Sequence, residues 1–427
     1  MTDKKEKTVY VGITGDMIHP GIINIIQQGA KYGRLIVGLL SNEAIATHKR
    51  IPYLTYEQRK AVIENIKGVS EVVPQEEWSY VPNLEKLKPD YIIHGDDWKT
   101  NYLKGIREEV FEVMKKIGGE VIEIPYTKGI NSSQLFENTT NNGITAVQRL
   151  KSLRQLMSYK PIIRIMEANS GLSGLIIENL KIEKEDGINR FDGIFINPFD
   201  SNPSEISSEH DSTDFTSKIN TVTDILECTT KPIIYGGYTS DNYENITFTV
   251  EKLELMGISA MIIEDRYKNK NELCNEEEFC LKIKEGKKSQ TNPDFMIIAR
   301  IEELNLGKNI DDALKKSFAS INAGADAILI SSNQKTGDDI KEFCLKFRKE
   351  NKNIPIVLIP TTYNQCTEKE FSEWGANIII YSDYLKRVTY PAMKKCAETI
   401  LKSERSLEVN EMCMPIKEIL NLIPGTN

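Results

Sequence analysis

Nowhere in these 427 residues is there an apolar run of about 18–20, the length needed to cross a bilayer as a helix, so no membrane partner is expected. The opening stretch MTDKKEK carries no hydrophobic leader, and a cytoplasmic protein is the expectation. Positive charge is not in excess either: 54 Lys and Arg stand against 62 Asp and Glu, a net charge of -8. Such a surface repels a polyanion, so nucleic acid is not the expected main partner, although small anions can still be met by local basic pockets. There is no C-x-x-C spacing. The seven cysteines are odd in number and scattered, which suits reduced thiols better than a disulfide or zinc framework. The Asn-x-Ser/Thr triplets at Asn131, Asn138 and Asn245 are then chance occurrences.

What is present describes a soluble globular chain: 40% hydrophobic, 27% charged, with 26 glycines. The length suits two domains of ordinary size. In the first 136 residues short apolar strands alternate with helices, the strands being expected at Thr8 to Ile13, Leu35 to Leu40, Glu71 to Val73, Tyr91 to His94 and Glu120 to Ile124. This is the pattern of a parallel sheet wrapped by helices. Glu137 to Thr145, ENTTNNGIT, is polar and without periodicity, so residues 137–147 are the expected linker and 148–427 the second domain. There the apolar runs become regular: Ile162 to Met166, Gly193 to Ile196, Pro232 to Tyr235, Met261 to Ile263, Phe295 to Ala299, Ala327 to Ile330, Pro355 to Ile359 and Ile378 to Ile380. Eight strands with helical segments between them predict a (β/α)8 barrel, with chemistry just after each strand. Those positions are Glu167, Asn197, Gly236, Glu264 with Asp265, Arg300 with Glu302, Ser331, Thr361 and Ser382.

The most informative segment is His19-Pro20-Gly21-Ile22, one turn after the first strand. Pro20 belongs in the first turn of a helix, whose free amides and dipole favour phosphate oxygens. An imidazole placed there can hydrogen-bond a transferring phosphoryl group. Thr14 and Asp16 lie on the same edge, and Lys49 and Arg50 follow the second strand, where cations could meet phosphate. Thr55 to Gln58 is a capping-box pattern, from whose first turns Arg59 is expected to project. Taken singly, such cations also read as surface charges, and a lone histidine as structural. Gly95-Asp96-Asp97-Trp98 ends the fourth strand and offers acids and an aromatic for a nucleoside. Gly129 to Ser133 offers hydroxyls and amides for phosphate, or a plain N-cap.

Asp16 to Gly21, Tyr56 to Lys60, Gly95 to Trp98 and Gly129 to Ser133, in that order, resemble the cytidylyltransferases typified by glycerol-3-phosphate cytidylyltransferase. The resemblance implies a Rossmann-like nucleotidyltransferase fold that moves CMP from CTP, with Mg2+, to a phosphate or phosphonate. It implies that His19 contacts the transferring phosphate and that Lys49 and Arg59 contact anionic groups. Thr14, Asp16, Gly21, Asp96, Asp97, Trp98, Ser132 and Ser133 would bind nucleotide. One position departs from the family pattern His-x-Gly-His: the last residue is Ile22. Loss of one such donor costs on the order of 100- to 1000-fold in rate.

The second half resembles phosphoenolpyruvate mutase of the isocitrate lyase superfamily through Glu167 to Ser173, Lys231 to Ile234, Ile263 to Asp265, Ala299 to Glu302, Gly324 to Ala327 and Ile359 to Thr361. The family implies Mg2+-dependent interconversion of phosphoenolpyruvate and phosphonopyruvate, and a homo-oligomer formed through the barrel. Its strand-end Asp-x-Asp metal pair corresponds to Tyr235-Gly236-Gly237-Tyr238, which leaves Glu264 and Glu209 as metal-ligand candidates and puts barrel Mg2+ in question. Asn197, Lys270, Arg300 and Glu302 are candidates for an anion site. The expectation is therefore a cytidylyltransferase acting on a small phosphonate, such as 2-hydroxyethylphosphonate or 2-aminoethylphosphonate, or on a phospho-alcohol. Its mutase-like barrel would have an impaired metal site. Two alternatives stand beside it: a fully bifunctional enzyme, and a nucleotide-binding pseudoenzyme serving a partner subunit.

Overall fold

The computed structural model describes residues 6–99, 103–125, 144–184, 187–197, 215–238, 243–267, 272–416 and 418. The chain forms two compact units, one of Met1–Asn142 with Ser158–Lys160 and Lys181–Asn189, the other of the remainder.

In the first unit, strands β1 (Thr8–Ile13), β2 (Arg34–Leu40), β3 (Glu71–Gln75), β4 (Tyr91–Gly95) and β5 (Glu120–Ile124) form one parallel sheet in the order β3-β2-β1-β4-β5. Alternation along β1 sends Val9, Val11 and Ile13 to one face and Tyr10 to the other. Helices α1 (Pro20–Gly29) and α3 (Tyr56–Glu64) bury Ile22, Ile26 and Ile63 on the first face, α2 (Asn42–His48) follows β2, and α4 (Val81–Leu87) and α5 (Leu103–Ile117) bury Leu84, Val110 and Met114 on the second. Gly12 and Gly38 are register partners beside the Tyr10 side chain. A Cβ on Gly38 would stand 1.8 Å from the Tyr10 hydroxyl and one on Gly12 2.3 Å from the Tyr80 ring, so these two positions must be bare. The strand order reverses at β1 and β4. A crevice opens at the carboxyl ends of that pair, the place where open α/β sheets take ligands.

The second unit closes strands β6 (Ile163–Glu167), β9 (Gly193–Ile196), β10 (Ile233–Tyr238), β11 (Ala260–Glu264), β12 (Met296–Ile301), β13 (Ala327–Ile330), β14 (Ile356–Leu358) and β15 (Ile378–Tyr381) into a parallel barrel. All eight runs expected from the sequence are its staves. Because such strands are covered on both faces, they read as unbroken apolar runs. The antiparallel hairpin β7 (Ile182–Lys184) and β8 (Gly187–Asn189), which belongs to the first unit, was not anticipated. The β10 register shifts between Tyr235 and Tyr238, across Gly236 and Gly237. No helix among the described residues is long and apolar enough to cross a membrane.

Candidate functional site

The β1 end of the crevice is built around the first turn of α1. His19 is the N-cap, in extended backbone, and its Nδ1 accepts the Gly21 amide at 3.2 Å. A ring nitrogen that accepts carries no proton, so this bond selects the tautomer with hydrogen on Nε2. Burial pushes the imidazole pKa below its ordinary value, which favours that neutral form. A neutral imidazole with an Nε2–H donor at a helix N-terminus is suited to hydrogen-bond a phosphoryl oxygen. Gly21 is buried in the first turn, and Ile22, 7% exposed, packs with Val9, Ile26 and Leu39. The residue that replaces the second histidine is therefore a member of the core.

Two of the expected ligand residues are committed to the scaffold. The Asp16 carboxylate accepts the Tyr53 amide at 2.8 Å, the Leu54 amide at 3.3 Å and the Arg50 guanidinium at 3.0 Å, so it fastens residues 50–54 to the loop after β1. Arg50 in turn lies over the Tyr53 ring, 4.4 Å from its centroid. Arg59 does not project from α3 as expected. It is fully buried and donates to the carbonyls of Thr14 and Leu40, the latter at 2.9 Å, and to the Asn42 side chain. The guanidinium fork thereby satisfies carbonyls at the ends of both β1 and β2. Burial lowers the Arg59 pKa. Arg59 stands four residues before the buried Ile63, and this i, i+4 spacing was the sequence signal for an inward position. Lys49 sits over the Trp78 ring at 5.5 Å, and His48 stacks on that indole at 4.6 Å.

At the end of β4, Asp96–Lys99 forms a 3-10 turn containing Asp96, Asp97 and Trp98. Trp98 is 1% exposed, parallel to the His94 ring at 4.0 Å, and its Nε1 donates to Glu123 at 2.8 Å. Buried between these partners, it has no open face to offer a base. Glu123 also accepts Arg107 Nε at 2.7 Å and pairs with Lys99 at 2.9 Å. The Arg107 hydrogen bond, with those of Lys99 and Trp98, holds its carboxyl down at about 2. Sequence reasoning missed Glu123, because a lone acid in a strand reads as a solvent-facing position. Ser132 and Ser133 lie outside the described residues.

At the barrel mouth the polar residues after the strands pair among themselves. Arg300 bonds Glu264 at 2.8 Å and Glu302 at 2.5 Å, and Glu302 accepts Asn305 at 2.9 Å and Ser331 at 3.4 Å. Burial alone would lower the Arg300 pKa, but the two glutamates outweigh it and raise it. Burial raises the Glu264 pKa against the pull of Arg300. Beneath this layer Lys316 bridges Asp265 at 2.8 Å and Glu303 at 2.6 Å. Glu167, the last residue of β6, accepts the Ser382 hydroxyl and the Asp383 amide. A Cβ on Gly236 would stand 2.3 Å from the Phe195 ring. Among the described residues no three His, Cys, Asp or Glu side chains are grouped to hold a metal ion. Asn197 is the last residue described after β9, and Glu209 and Lys270 lie outside the described residues.

The phosphoenolpyruvate phosphomutase family model matches residues 153–401. The chain belongs to the phosphoenolpyruvate phosphomutase family. A cytidylyltransferase-like model matches residues 10–138, so this family member carries a cytidylyltransferase-like domain at its N-terminus. The phosphoenolpyruvate phosphomutase of Tetrahymena pyriformis is 28% identical over 298 residues, covering 67% of this chain and 95% of that protein. Glycerol-3-phosphate cytidylyltransferase of Bacillus spizizenii is 32% identical over 132 residues, 30% of this chain and 94% of that protein. The crystal structure of phosphoenolpyruvate phosphomutase from Streptomyces platensis subsp. rosaceus superposes with a TM-score of 0.57 at 28% identity, covering 65% of this chain and 95% of that one.

Proposed function

We propose that the N-terminal unit is a CTP-dependent cytidylyltransferase that moves CMP to a small phosphonate or phospho-alcohol. The observation that carries this reading is His19, a neutral N-cap histidine at the carboxyl edge of β1, beside the turn that leaves β4. An oxygen of the acceptor attacks the α-phosphorus of CTP, a new P–O–P link forms, and the bond to pyrophosphate breaks. Charge grows on the oxygens of the transferring group, where the Nε2–H of His19 would donate and the dipole of α1 favours negative charge. Mg2+ would arrive on the triphosphate and offset its charge, held chiefly by phosphate oxygens and water. Asp16 and Arg59 shape the loop that receives the phosphates. A cytoplasmic setting, where CTP is available, and a homo-oligomer formed through the barrel go with this reading.

The barrel is assigned as a mutase relative with no metal site assembled among its described residues. Two observations support this: Glu264 is engaged by Arg300, and Phe195 stands where a side chain on residue 236 would extend. These groups do not fit Mg2+, a hard cation that takes several oxygen ligands. The test of transfer is pyrophosphate release from CTP with 2-hydroxyethylphosphonate, 2-aminoethylphosphonate or glycerol 3-phosphate. Release should exceed a His19→Ala control, and equal rates would sink the proposal. Phosphorus NMR with phosphonopyruvate and Mg2+ should show no phosphoenolpyruvate. Its appearance would establish the bifunctional alternative.

A further inference from the structure

We infer that Glu123 is a positioning residue for nucleotide recognition, the clamp that fixes the turn Asp96–Lys99 in the shape that receives the nucleoside. The inference deepens the cytidylyltransferase reading and rests on it. β4 and β5 are parallel neighbours with His94 opposite Glu123 in register, so both side chains leave the same face of the sheet. Trp98 closes the gap between them, its ring parallel to His94 at 4.0 Å and its Nε1 on Glu123 at 2.8 Å. The same carboxylate takes Lys99 from the turn at 2.9 Å and Arg107 from α5 at 2.7 Å. Three donors from two elements therefore meet on one side chain, and two of them belong to consecutive residues of the turn.

A four-residue 3-10 turn has few internal bonds with which to hold its own geometry. Glu123 supplies the missing restraint from an adjacent strand by charge-assisted bonds, the stronger kind of hydrogen bond, aimed from fixed directions. Asp96 opens that turn directly after β4, so its orientation follows from where Trp98 and Lys99 are pinned. A carboxylate whose role were stability alone would need no more than the Arg107 pair. Its second and third donors lie on the segment that leaves the crevice.

The test compares the unsubstituted full chain with Glu123→Gln, Glu123→Asp and Trp98→Phe in CTP turnover at saturating acceptor. Glu123→Gln keeps the shape but removes the charge, and should raise KM for CTP by about 10-fold with kcat within about 3-fold. Glu123→Asp should recover part of that rise. In the Trp98→Phe background, Glu123→Gln should add much less than 10-fold, since the two residues act as one unit. A purely structural role predicts the reverse: kcat falls with the folded fraction and KM stays constant. An unchanged KM in Glu123→Gln, with the unsubstituted protein active, overturns this inference and leaves the function standing. If the unsubstituted protein neither binds nor turns over CTP, both fall together.

Discussion

At the scale of the residue, two side chains near the β1 edge make opposite uses of burial. Arg59 retains its charge in the interior because three acceptors surround its fork. A methionine there would leave the Thr14 and Leu40 carbonyls unsatisfied, at a cost of about 2 kcal/mol or more. Arg59→Met should thus speed amide exchange at the ends of β1 and β2 by at least about 30-fold. His19 instead loses its charge. Its folded pKa lies below the ordinary 6.5, so the unfolded chain binds more protons in the window between the two values. The stability this group contributes is complete above pH 6.5 and is lost as the pH falls through the folded pKa. Protonation also puts hydrogen on Nδ1, where the Gly21 amide already points, and breaks the cap. The acid limb of kcat/KM for CTP should therefore have its midpoint below 6.5. A midpoint above that value would contradict the neutral assignment.

At the scale of the element, packing decides which residues read plainly from sequence. The barrel strands, with β1 and β2 of the first unit, were legible because parallel strands buried on two faces carry unbroken apolar runs. The hairpin β7-β8 was not: its strands are three residues each and β7, Ile-Glu-Lys, is exposed throughout, so no burial imprints a pattern on it. Arg59 and Glu123 were misread or missed for a related reason. Their charge suggests solvent, and only the three-dimensional meeting of strand ends with helix faces supplies their partners. The bare positions in β1 and β2 yield a sharper expectation. Tyr10 donates to Gln75 at 2.8 Å and accepts Asn83 at 2.8 Å, a network that ties β1 to β3 and α4. A methyl on Gly38 would occupy the place of the Tyr10 hydroxyl, 1.8 Å away. Gly38→Ala should destabilise the first unit by about 2–3 kcal/mol, through overpacking and the lost bonds. A Tyr10→Phe background should absorb only the hydroxyl's share of that penalty, because the ring Cζ still stands 2.4 Å from the added methyl, and denaturant unfolding of the two variants would show it.

At the scale of the whole molecule, the departures from family pattern fall in both units, but they differ in kind. In the first, Ile22 replaces a donor with a core side chain, yet His19 keeps its cap, tautomer and place at the crevice. In the second, polar and aromatic residues at the strand ends close on one another. Glu264 and Glu302 share Arg300, and Phe195 lies against Gly236. Returning one carboxylate should therefore not return a metal site. An aspartate at 236 must first displace the Phe195 ring, an overpacking cost of about 1–3 kcal/mol, and it still finds Glu264 neutralised by Arg300. Gly236→Asp alone should lower the stability of the barrel without binding Mn2+ in an electron paramagnetic resonance titration. Adding Phe195→Ala should make room for the carboxylate, at a cavity cost of about 3–5 kcal/mol of its own, and still leave the ion unbound, since one free carboxylate is too few ligands for a hard cation. CTP turnover should stay within about 2-fold in both variants, because none of the groups assigned to transfer lies in the barrel. Tight Mn2+ binding by Gly236→Asp would show that the ligand set had survived, and with it the case for a second activity.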